Sequence, residues 1–171
     1  MKYYLAFLLV IISQHITFSQ NSDSSLKMKS ISTGFGICVG ELNSGGLNIY
    51  IDATTEFKRN LFTFSFVAGG ELQLFDASRD YKELDFMYGR ELTIYKFFKT
   101  EVNTGIAIFN EVYKNGSTNF NKVSETAIGL PIKVKLLFYV SDHFAFGLNP
   151  NITINSIDTM YSGNLIFQYR F

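Results

Sequence analysis

The sequence predicts an all-β protein, an eight-stranded antiparallel up-and-down transmembrane β-barrel, and three observations carry that prediction. Apolar and polar residues alternate at period two through about eight segments, the pattern of strands with one apolar and one polar face. The connections between the segments run long, short, long, short, the rhythm of a chain winding up and down a barrel with both termini on one side. Of the 171 residues 47% are hydrophobic, yet past the first ~20 no stretch holds the ~18 consecutive apolar residues of a membrane helix.

Residues 1–19 read as a signal peptide. Met1 and Lys2 precede an apolar run from Tyr3 to Ile12, too short to cross a ~30 Å hydrocarbon core as a helix. Thr17 and Ser19 supply the small residues of a cleavage site before Gln20, whereas a buried helix is disfavoured by Ser13, Gln14 and His15. Residues 20–28 read as a flexible segment and 29–171 as the barrel. One cysteine, Cys38, rules out an intramolecular disulfide, and its surroundings lack the small residues of a lipidation site. The balance of 15 Lys and Arg against 15 Asp and Glu supplies no basic stripe, so nucleic acid is not an expected partner.

Each strand follows from its alternation. In segment 31–39, Ile31, Thr33, Phe35, Ile37 and Val39 oppose Ser32, Gly34, Gly36 and Cys38; in 47–57, Leu47, Ile49, Ile51 and Ala53 oppose Asn48, Tyr50, Asp52, Thr54 and Glu56. A tight Lys58-Arg59-Asn60 turn leads to segment 61–75, where Phe62, Phe64, Phe66 and Ala68 oppose Thr63, Ser65, Gly69 and Glu71. After an Asp76 to Glu83 loop, segment 84–96 sets Leu84, Phe86, Tyr88, Leu92 and Ile94 on one parity together with Arg90. Gly89 suggests a bulge that rotates Arg90 to the polar side; the alternative is a lipid-facing arginine, costing about 2–4 kcal/mol at a bilayer midplane. A turn near Lys99 and Thr100 precedes segment 102–112, and the loop from Tyr113 to Ser124 precedes segment 127–140, whose polar parity carries Lys133 and Lys135. A turn through Ser141 and Asp142 to His143, segment 144–154, the Asn155 to Met160 loop and segment 161–171 complete the set.

Volume indicates which face is inside. Roughly forty Phe, Leu, Ile and Val side chains on the apolar parity exceed what an eight-stranded barrel can hold, because its interior only just accommodates side chains. The other parity is rich in glycine, serine and alanine and carries ions of both signs: Asp52, Glu56, Glu71, Glu91, Glu101 and Glu111 against Lys133, Lys135, Arg170 and, after the bulge, Arg90. Such a set inside a barrel calls for a paired network, since unpaired buried charges are very costly. The same ions on a soluble sheet would face water but leave the apolar face without a second layer.

At the end of the sequence Leu165, Phe167, Tyr169 and Phe171 form an alternating apolar and aromatic strand. This resembles the C-terminal β-signal of Gram-negative outer-membrane proteins, and residues 29–171 resemble the OmpA- and OmpX-type eight-stranded barrels. Ile128-Gly129-Leu130-Pro131 before an alternating strand is similar to members of the wider outer-membrane β-barrel group. The resemblance implies an outer-membrane location, lipid around the barrel, and recognition of the terminal strand by the barrel assembly machinery. It lacks the periplasmic peptidoglycan-binding domain of the OmpA pattern, and the loops look short.

Catalytic chemistry is sparse. Past the leader His143 is the single histidine, beside Ser141 and Asp142, three sequence neighbours that do not readily form a triad. One Cys and one His far apart do not suggest a transition-metal site, and Asp76, Asp80 and Glu83 read as a solvated acidic loop rather than a calcium site. Gly34-Phe35-Gly36 and Gly69-Gly70 lack the following helix and lysine of a phosphate loop. Tyr88, Tyr161 and Tyr169 are candidates for interfacial girdles. No catalytic residue, metal or cofactor is therefore assigned. The expectation is a barrel with a filled lumen that acts as an envelope element or binds an extracellular ligand through its loops, with a narrow channel and a soluble lipocalin-like carrier of an apolar ligand as alternatives.

Overall fold

The computed structural model describes residues 25–40, 45–71, 78–114 and 122–171. Its eight strands are β1 (Lys27–Gly40), β2 (Gly45–Phe57), β3 (Asn60–Glu71), β4 (Ser78–Tyr95), β5 (Phe98–Lys114), β6 (Lys122–Tyr139), β7 (Phe144–Asn155) and β8 (Met160–Arg170). Each pairs antiparallel with the next, and β8 pairs with β1 from Ser30↔Arg170 to Gly40↔Met160, so the sheet closes into a barrel without a free edge. Among the described residues no helix is long and apolar enough to cross a membrane, which leaves strand crossings untouched. The predicted leader lies outside the described residues.

One end of the barrel carries short turns and the other the longer connections. At the turn end, β2 and β3 join through Lys58 and Arg59, both with positive φ (49° and 65°), the signature of a two-residue type I′ hairpin. The β4–β5 turn lies at Lys96 and Phe97 rather than at the expected Lys99 and Thr100, because a register shift between Thr93 and Tyr95 brings Tyr95 opposite Phe98. In the β6–β7 turn the Ser141 hydroxyl accepts from the amide N–H groups of His143 and Phe144. At the loop end β4 starts at Ser78, so Asp80 and Glu83 belong to a strand rather than to the expected loop.

The register corrects the expected bulge. Pairing of β3 with β4 runs unbroken through Asn60↔Arg90, Leu61↔Gly89 and Phe62↔Tyr88, and β4 with β5 through Arg90↔Val102, so nothing rotates Arg90 inward. It stays on the outer face, opposite the first residue of β3 and therefore near the turn end. Gly89 serves a different need: a Cβ there would run into the Asn103 side chain and the Val102 carbonyl. The bulge that matters for the interior is in β1, between Met28 and Ser30, and it turns both Lys29 and Ser30 inward.

Both prolines coincide with gaps in the ladder. β5–β6 pairing passes from Thr104↔Ile132 to Ala107↔Gly129 across Pro131, and β6–β7 pairing from Lys133↔Asn151 to Leu136↔Leu148 across the level of Pro150. A proline has no N–H to give to a neighbouring strand.

Candidate functional site in the barrel interior

The interior is layered. Near its middle, β6 sends Lys133 and Lys135 across the lumen. Lys133 Nζ lies 2.7 Å from Asp85 Oδ2 and 4.0 Å from Asp52 Oδ1, and donates to Ser65 Oγ at 2.7 Å. Lys135 Nζ lies 2.8 Å from Asp52 Oδ2 and 3.7 Å from Glu101 Oε2, and donates to Ser32 Oγ at 3.0 Å. These ions are essentially inaccessible, with side-chain exposures of 0–1%. The chain of alternating charge continues toward the turn end: Lys29 Nζ is 3.7 Å from Glu101 and 2.7 Å from Glu91, and Glu91 also meets Arg170 at 3.4 Å and Lys99 at 3.7 Å. Glu56 closes this mouth at 3.7 Å from Lys29. Asp85, Lys133, Asp52, Lys135, Glu101, Lys29, Glu91 and Arg170 thus form one line through strands on opposite walls.

Above the central ions, toward the loop end, lies an apolar and aromatic layer that includes Tyr50, Cys38, Val67, Tyr81, Phe109 and Met160. Tyr81 stacks on Phe109 with centroids 5.6 Å apart. The tyrosines fit because each faces a glycine across a strand pair, Gly34↔Tyr50 and Gly69↔Tyr81, and a Cβ on either glycine would strike the ring. At the loop-end mouth Arg79 joins Glu111 (3.4 Å) and Asp158 (3.6 Å) and stacks over the Tyr113 ring, whose hydroxyl donates to Glu111 at 2.6 Å. Asp158 reaches inward because Asn155 Oδ1 accepts from the amides of Ile157 and Asp158, folding the β7–β8 connection over the mouth.

Of the sequence-predicted network, Asp52, Glu101, Lys133 and Lys135 meet in the middle, Glu56, Glu91 and Arg170 at the turn-end mouth, and Glu111 at the loop-end mouth. Glu71 ends β3 opposite Gly46, and its side chain lies outside the described residues. Arg90 does not join the network. Two further carboxylates face inward, Asp85, absent from the predicted network, and Glu83, expected in a solvated loop; parity against Leu84 and Phe86 marks both, and Thr153 donates to Glu83 at 2.8 Å. Lys29 had no signal before the bulge was known, and the pairing of Arg79 with Asp158 depends on a folded connection.

The outer face is the reverse. Leu84, Ile108 and Ile128 form one exposed apolar row across β4, β5 and β6, and the next row toward the loop end is Lys82, Asn110 and Thr126. Asn110 Nδ2 donates to Thr126 Oγ1 at 2.8 Å within that polar row and to Ser124 Oγ, one outward position further toward the loop end, at 3.0 Å. Toward the turn end Phe98, Phe138, Phe146 and Phe167 lie side by side on four successive strands.

This closed, inside-out barrel is matched by solved structures. Neisserial surface protein A (NspA) superposes with a TM-score of 0.70 at 8% sequence identity, over 86% of this chain and 99% of that one. Ail, the attachment invasion locus protein of Yersinia pestis, gives 0.60 at 17% identity over 85% and 99%, and the N-terminal β-barrel domain of Pseudomonas aeruginosa OprF 0.56 at 13% over 86% and 100%. The fold is that of the small outer-membrane barrels. No protein-family model and no curated protein matches the sequence, and at these identities the structural likeness speaks for the fold alone.

Within this outer-membrane-barrel fold the terminal strand closes the seam. Leu165, Phe167 and Tyr169 face outward from β8, and Phe171 follows it, donating its amide to the Lys29 carbonyl at 3.0 Å. Tyr169 contacts the rings of Phe144, Phe171 and His143 at 5.1, 5.1 and 5.9 Å. His143 is exposed, with Nδ1 2.9 Å from the Arg170 carbonyl oxygen, while the Ser141 hydroxyl serves the turn amides. Cys38 is 3% exposed inside the apolar layer. Asp80 and Glu83 point to opposite faces of β4 and do not converge, while Asp76 lies outside the described residues. Tyr88 and Tyr169 lie toward the turn end and Tyr161 toward the loop end, all exposed on the outer face.

Proposed function

We propose that this chain is an integral outer-membrane protein with a plugged lumen, non-enzymatic, serving as an envelope element or as a loop-mediated binder of a surface ligand. The observation that carries the reading is the boundary on the outer face. From Ile128 to Phe138 the outward parity of β6 is unbroken apolar, and about 9–11 tilted residues are what a strand needs to cross a bilayer. Water cannot be the solvent for that belt without a second layer, whereas lipid can. The polar row Lys82, Asn110, Thr126 then lies outside the membrane with the loops, and the turn end lies in the periplasm. The interior ions favour a plug over a channel, because side chains from opposite walls neutralise one another where an ion would have to pass.

Planar-bilayer recording of the purified chain tests the plug: no reproducible unitary conductance is expected, and stable steps that respond to substitution of Lys135 would establish a narrow channel instead. The connections expected at Glu41 to Gly46, Asp76 to Glu83, Tyr113 to Ser124 and Asn155 to Met160 are the proposed ligand-contacting segments, less the residues that belong to strands: Ser78 to Glu83 open β4, with Tyr81 and Glu83 buried inside the barrel. Residues 41–44, 76–77 and 115–121 of these segments lie outside the described residues.

A further inference from the structure

The turn-end mouth opens into a cleft of about 320 Å³ whose lining carries five cationic side chains, Lys27, Lys29, Lys58, Arg59 and Arg170, and one side-chain carboxylate, Glu56. Two of the cations are engaged inside: Lys29 and Arg170 hold Glu91 at 2.7 and 3.4 Å. Among the described residues no carboxylate lies within ion-pair distance of Lys58 or Arg59; Lys58 Nζ rests 5.3 Å from the centroid of the Phe57 ring. These two cations occupy the central positions of the type I′ hairpin, where positive φ favours Asn and Gly. Two long cationic side chains held at a strained turn run against local preference, and such conflicts concentrate at functional positions.

From this cleft we propose a phosphate-binding site, with Arg59 and Lys58 as its primary contacts, for the phosphate of a glycerophospholipid headgroup or of a soluble phosphate ester. The planar guanidinium of Arg59 can meet two phosphate oxygens at once and Lys58 adds a mobile point charge. Met28 and Phe171 on the cleft wall offer apolar surface to the carbon side of an ester. The lipid source rests on the membrane reading above, because only then does the turn end sit among inner-leaflet headgroups. The phosphate chemistry does not depend on it.

The test uses the full chain refolded in detergent micelles, with heat-modifiable gel mobility as the check that the barrel is formed. The cleft variant is Lys58→Asn/Arg59→Gly, which removes both charges and supplies the residues that the turn prefers, so folding is not at risk. In one arm inorganic phosphate is titrated while the amide resonances of Lys58, Arg59 and Asn60 are followed. In the other, native mass spectrometry compares retention of phosphatidylglycerol and phosphatidylcholine. Saturable shifts with phosphate, or preferential retention of phosphatidylglycerol that falls about tenfold or more in the variant, uphold the site. The lipid arm alone or the phosphate arm alone then names the source. No saturable response in either arm overturns the proposal, as does an equal loss on Lys96→Gln, a turn-end lysine outside the cleft. A chain that fails to enter micelles at all would count against the membrane reading instead.

Discussion

Lys135 shows how the interior constrains single residues. Its ammonium bridges Asp52 and Glu101 with no exposure to water, so removing it leaves carboxylates whose nearest remaining cations are Lys133 at 4.0 Å from Asp52 and Lys29 at 3.7 Å from Glu101. Lys135→Met is expected to cost about 3–5 kcal/mol in equilibrium urea unfolding from lipid vesicles, since breaking a buried pair from one side is far costlier than replacing both partners. Adding Asp52→Asn to that variant should recover part of the loss. A cost below about 1 kcal/mol for the single variant would mean the ions are hydrated rather than paired. Arg90 gives the complementary test on the outer face. Opposite Asn60, at the rim, its charge can reach headgroups along its apolar stem, and Arg90→Leu should change stability by only about 0–1 kcal/mol; a gain of about 2–4 kcal/mol would place it at the midplane.

Parity made most of the elements legible. Ser32, Asp52, Ser65, Lys133 and Lys135 face inward because they alternate with Phe, Leu and Ile, and no tertiary information was needed to say so. What alternation cannot register is a residue inserted into it or a strand continuing past its apolar stretch. Lys29 enters the network through a bulge that leaves no glycine as a marker, whereas Gly89, which looked like one, answers to Asn103 across the ladder. The loop ends of β4 and β6 read as loop in the sequence because their outward residues are polar, yet Lys82 pairs with Asn110 and Ser124 with Val112 as strand residues. The same blindness hid the large inward residues Leu137 and Ile166, which fill the barrel where the polar parity suggested only small or charged ones. At the element scale β8 is the strand with an assembly prediction. Phe171 donates to the Lys29 carbonyl across the closing seam and meets the Tyr169 ring edge to face, so deleting it should markedly lower the yield of heat-modifiable barrel in the membrane fraction. Unchanged yield would count against the β-signal reading.

For the whole molecule, the two faces of every strand have to be satisfied by different solvents. The interior is closed by ions that neutralise one another and by aromatic rings lying over glycines. The exterior is left apolar from the row of Leu84, Ile108 and Ile128 to the phenylalanine row of Phe98, Phe138, Phe146 and Phe167. An eight-stranded barrel has room for the first set inside but not for the second, which is why the chain's high hydrophobic content is compatible with the absence of a membrane-crossing helix among the described residues. Ile106, an outward residue in the middle of β5 with 63% of its surface exposed, is where lipid and water are told apart most directly. Place an environment-sensitive fluorophore at Ile106→Cys, in a Cys38→Ser background, and refold the chain into vesicles containing lipids brominated along the acyl chain. Strong quenching by the brominated lipids with protection from aqueous iodide is the predicted result; quenching by iodide and indifference to the bromolipid would contradict the account.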